Sequence, residues 1–159
     1  MRFRYFLPRS NSKLVFVLVM ASYIYFLSNT ITKVYGVFGT APARIDSPFR
    51  SLRPNIRGFM EVVILSPVIE SLILIGILEL SRKVGLPYRL QVFVSALLMC
   101  ITHSFQWLPW GFFVAPAFLI FAYSYLHWRQ ESWITGFLII SLTHTLDNFI
   151  TFLYMVRIE

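Results

Sequence analysis

The sequence predicts an all-α fold, a polytopic transmembrane helical bundle of about five helices, from three observations. The chain is 57% hydrophobic and 13% charged, whereas a soluble domain is about 45–50% apolar and about 25% charged. Several apolar runs are long enough for a helix to cross a hydrocarbon core of about 30 Å. Most charged residues stand between those runs, and the mean hydropathy of +0.69 leaves more greasy surface than a core of this size can bury.

The net charge of +7 would suggest nucleic acid in a soluble protein. Here the basic residues gather at segment ends and in connections: Arg2, Arg4, Arg9 and Lys13, then Arg44, Arg50, Arg53 and Arg57, then Arg82, Lys83 and Arg89. Charges that flank spans meet anionic headgroups. Membrane lipid, and not nucleic acid, is the expected partner. The single cysteine, Cys100, excludes an intrachain disulfide and carries no metal-ligand spacing. It reads as core packing.

Residues 1–13 form a basic, aromatic head, and 14–32 the first span. That run is long for a signal peptide, and no small-x-small cleavage site follows it, so an uncleaved helix is expected. Residues 33–57 form the one long polar connection, broken by Gly36, Gly39, Pro42, Pro48 and Pro54. The second span, 58–80, contains Pro67, which removes one backbone hydrogen bond. The freed carbonyl needs a buried neighbour or water, and the kink opens room beside Glu70. Glu61 and Glu79 each lie nine positions from Glu70, so neither shares its helix face. Glu79 and Lys83 suit an i,i+4 pair. The third span, 90–107, carries His103. The fourth, 111–126, has neither acid nor base. The fifth, 132–155, carries His144, Asp147 and Asn148. Two units follow: 1–57 with the head, first helix and basic loop, and 58–159 as a four-helix core. A cytoplasmic N-terminus is slightly favoured by the basic residues.

Glu70 is the residue that needs explaining. A lone carboxylate at the centre of a span costs several kcal/mol unless it faces protein, water or a partner. His103 and His144 sit at similar depth, and Asn148 lies one turn from His144 on the same face. Asp147 shares part of that face. Any one of them reads as a helix–helix hydrogen bond worth about 1 kcal/mol. The set, on three segments, reads as one shared site. Glu70 can take a proton from water with His103 holding that water. His144 and Asn148 can donate to an oxyanion as it forms on a carbonyl. Alternatively Glu70, His103 and His144 can hold zinc with water in the fourth position. There is no His-Glu-x-x-His motif.

These residues resemble the CAAX prenyl protease and bacteriocin-processing (Abi) family of intramembrane proteases. Its members carry a proline, then Glu-Glu-x-x-x-Arg and a Gly on one helix, Phe-x-x-x-His on the next, and His-x-x-x-Asn two helices later. Pro67, Glu70 and Gly76 match the first motif, His103 the second, and His144 with Asn148 the third. One helix without a motif separates the two histidine helices, as in the family, and Ser132-Trp133 is also similar. The likeness covers residues 58–155. Three positions depart: Ser71 for the second glutamate, Ile75 for the arginine, and Met99 for the phenylalanine. Losing the glutamate and arginine together leaves no orphaned charge.

The resemblance implies an intramembrane endopeptidase with catalytic residues Glu70, His103, His144 and Asn148. The substrate would be a membrane-associated peptide or protein, with lipidated chains among the family's targets. Compactness points to a bacterial cytoplasmic membrane. A scaffold or bacteriocin-immunity protein of the same fold is the alternative. An ion or proton carrier is weaker, because no inverted halves are seen.

Overall fold

The computed structural model describes residues 12–38, 55–106 and 108–158. It is all-helical, with no strand among the described residues. The helices are α1 (Lys13–Phe38), α2 (Ile56–Lys83), α3 (Tyr88–Ser104), α4 (Trp110–Trp128) and α5 (Trp133–Ile158). Residues 1–11 of the basic head and 39–54 of the expected polar connection lie outside the described residues.

Four helices, all but α3, are long and apolar enough to cross a membrane, and the protein is membrane-spanning. The expected third span is shorter than its apolar run suggested. At 17 residues, α3 reaches about 25 Å. Pro87 precedes it, and the chain leaves the helix after Ser104.

α1 buries Phe16, Val17, Met20, Ala21 and Ile24. Their spacing makes one helical stripe. Phe16 meets Trp128 edge-on at 5.3 Å, and Ile139 of α5 closes the same cluster. The first helix therefore belongs to the same bundle as the rest. Its outer face keeps Leu14, Leu18 and Phe26 exposed. Ser22 and Thr30 on that side donate to carbonyls four residues back. Lipid offers no other partner for such groups.

α2 starts at Asn55, whose side chain accepts from the Gly58 amide at 2.9 Å. It ends in Gly85, with φ +78°. Gly85 donates to the Arg82 carbonyl, and Leu86 to Ser81. This is a left-handed stop that only glycine enters without strain. α3 and α4 pack closely at Gly111, where a Cβ would collide with the Cys100 carbonyl and the Ser104 hydroxyl. Leu74, Leu78, Met99, Phe118, Phe121, Tyr125 and Ile140 fill the core between α2 and α5. Cys100 is half-buried at its edge.

Candidate active site

The site begins with a defect in α2. From Met60 to Leu65 the helix winds as a π turn, and Ser66 donates its amide to Glu61, five residues back. The Val62 carbonyl, which Ser66 would serve in an α-helix, loses that donor. Residue 67 would serve it in the π register, but Pro67 has no N–H. Asn148 of α5 supplies the missing bond, its Nδ2 donating to the Val62 oxygen at 2.8 Å. The proline's freed carbonyl is thus met by a buried neighbour.

One turn later stands Glu70. Its Oε1 accepts a hydrogen bond from the Ser66 hydroxyl. Its Oε2 lies 3.4 Å from His103 Nε2 and 3.7 Å from His144 Nε2. Three residues nominated by the sequence, on α2, α3 and α5, therefore converge. His103 Nδ1 is 2.8 Å from the Met99 carbonyl. A carbonyl only accepts, so Nδ1 carries a proton, and Nε2 is the ring nitrogen turned toward Glu70. His144 is 7% exposed and lies against Phe121, with ring centroids 4.6 Å apart. Phe118 packs on both histidines, at 5.0 Å from His103 and 6.0 Å from His144.

These groups line a cavity of about 300 Å³. Asp147 and Asn148 are on its wall, with Trp110, Val114, Phe118 and Phe121 from α4. The expected span 111–126 drew no attention because it has no acid or base, yet the aromatic residues of α4 form the apolar side of the site. Their helical spacing was the available signal. Glu61 also lines the cavity, against expectation. In an unbroken α-helix nine residues turn through about 900°, placing Glu61 opposite Glu70. The π turn holds one residue more without adding a turn, which brings the two within about 80°. Glu61 pairs with Arg57 at 2.8 Å, at the exposed rim.

At the other end of the bundle Glu79 makes a different cluster. Tyr125 donates to Oε1 at 2.7 Å. Arg129 reaches both carboxylate oxygens, through Nε and through Nη2. Arg82 donates to Oε2 at 2.8 Å. The expected partner Lys83 is exposed instead, because Arg82 and Arg129 already occupy the carboxylate. Beyond the end of α4, the hydrogen bond to Glu79 raises the Arg129 pKa above its ordinary value. The stability this gives is fully present below the ordinary guanidinium pKa while Glu79 is ionised, and is lost as pH rises through the raised value.

Among the described residues, no three His, Cys, Asp or Glu side chains are arranged to hold a metal ion. Glu70, His103 and His144, the set the sequence offered for zinc, form no such group. Comparison of the chain with protein-family models, with curated proteins and with solved structures finds no match.

Proposed function

We propose that the protein is an intramembrane endopeptidase of the kind its motifs resemble, acting on a membrane-associated peptide or protein. The observation that carries this reading is the meeting of Glu70, His103 and His144 in one cavity. A water beside the 3.4 Å gap between Glu70 Oε2 and His103 Nε2 donates one hydrogen to each. Its lone pair is then turned toward the cavity. Glu70 takes the proton as the water oxygen bonds to the scissile carbonyl carbon. The carbonyl electrons move to its oxygen, which accepts from the His144 ring N–H and from the Asn148 N–H that Val62 does not take. When the C–N bond breaks, the proton held by Glu70 passes to the departing amine. Lipidated substrates and a bacterial cytoplasmic membrane belong to this reading through the resemblance.

The test is cleavage of a quenched-fluorescent reporter with one apolar transmembrane segment, in vesicles. Wild type is expected to cleave it, while Glu70→Gln, His103→Ala and His144→Ala do not. Equal turnover by all four proteins would sink the assignment.

One observation favours a second reading, a non-proteolytic scaffold or bacteriocin-immunity protein. Ser71 and Ile75, which replace the family's charged pair, are both buried and leave Glu70 without that support. Under this reading the three site variants lose stability but not biological function.

A further inference from the structure

The sequence leaves Glu70 without its usual supporting pair, and the structure shows what stands in for it. A helical serine ordinarily turns its hydroxyl back to the carbonyl four residues earlier. For Ser66 that acceptor is Val62. The Val62 oxygen already receives Asn148 Nδ2 at 2.8 Å, and the Ser66 hydroxyl points to Glu70 Oε1 instead.

We propose that Ser66 and Asn148 are positioning residues for Glu70, coupled through the Val62 carbonyl. A carbonyl oxygen has two lone pairs, so Asn148 competes with Ser66 for Val62 and biases the hydroxyl away from it. Ser66 is then available to hold Oε1. With one oxygen fixed, the other is directed at His103 on α3 and His144 on α5. The π turn and Pro67 make this possible, because together they strip the Val62 carbonyl of its helical donor. The inference rests on the proposed proteolytic reading for its effect on rate, but not for its effect on Glu70 itself. The other titratable groups around Glu70 are His103, His144, Asp147 and Glu61, and α4 contributes none to the cavity wall.

The test uses the full-length protein in vesicles and two readouts. The first is the infrared carboxyl band of Glu70, assigned by its loss in Glu70→Gln. Ser66→Ala is expected to shift this band, and Ser66→Thr to restore it. Asn148→Ala should shift it by the same amount, because the freed Val62 carbonyl then recaptures the Ser66 hydroxyl. The double variant should shift it no further. Where Asn148→Ala does not fold, Asn148→Ser serves, since its shorter side chain does not reach Val62. The second readout is reporter cleavage. Ser66→Ala should lower kcat about tenfold with KM unchanged. The double variant should be no slower than Asn148→Ala alone.

A Glu70 band unmoved by Ser66→Ala overturns the role of Ser66. A band unmoved in the Asn148 variants, or shifts that add in the double variant, overturns the coupling. If wild type cleaves nothing yet the band behaves as expected, the proteolytic reading fails and the positioning of Glu70 stands.

Discussion

α2 carries two glutamates nine residues apart that are treated in opposite ways. Glu79 is closed: a tyrosine and two arginines reach its two oxygens, and it is not among the residues lining the cavity. Glu70 is open: one serine holds one oxygen, and two histidines stand off the other at 3.4 and 3.7 Å beside a cavity. A carboxylate surrounded by donors at hydrogen-bond distance has its charge fully compensated and serves to join helices. A carboxylate with loosely placed bases and free space beside it is arranged to exchange a proton with something that enters. One helix thus holds a carboxylate that joins helices and, under the proposed reading, a second that serves as the base.

The comparison can be broken most directly at Glu70. Glu70→Gln keeps the shape of the site and removes the base. Reporter cleavage should fall about a thousandfold, with the unfolding midpoint in detergent little changed. A large stability loss with cleavage intact would reverse the two roles.

Glu79→Ala should do the opposite. It leaves Arg129 and Tyr125 without their acceptor, and unfolding should show a loss of about 2 kcal/mol. That is below the roughly 3–5 kcal/mol of a fully buried pair, because the Glu79 side chain is 25% exposed. Cleavage per folded molecule should stay near wild type.

Gly136→Ala sharpens the same point from a distance. A Cβ there would stand 2.8 Å from Tyr125 Cδ2 and 3.2 Å from the Tyr125 carbonyl. The ring that donates to Glu79 must shift, and a loss of about 1–2 kcal/mol is expected from overpacking. A variant as stable as wild type would show that Tyr125 tolerates displacement and that the arginines alone hold the cluster.

The smallest effect belongs to Lys13 and Glu131. They pair at 2.6 Å, but both side chains are 50% exposed. An ion pair so open to water contributes little. Lys13→Ala should change stability by less than about 0.5 kcal/mol and leave cleavage untouched. A larger loss would point to the packing of the Lys13 stem, whose ammonium lies 5.7 Å from the Trp128 ring centre.

The sequence by itself determined the all-helical class, the placement of five helices and the three ionisable groups that meet at the site. Apolar run length and the cost of a charge in hydrocarbon are local properties, readable from one stretch at a time. It also signalled, through Pro67, that a carbonyl near Glu70 would need an outside donor. Only the tertiary structure decided which carbonyl and which donor, because Val62 and Asn148 are 86 positions apart. The π turn was equally hidden. Nothing in Met60–Leu65 announces an extra residue in the turn, yet it brings Glu61 to the cavity. Glu79 shows the same limit: its local partner proved to be Arg82, and its distant ones, Tyr125 and Arg129, follow from how α4 lies against α2. Periodicity places a residue on its own helix. What that residue meets depends on the register and packing of the other helices, which no single stretch encodes.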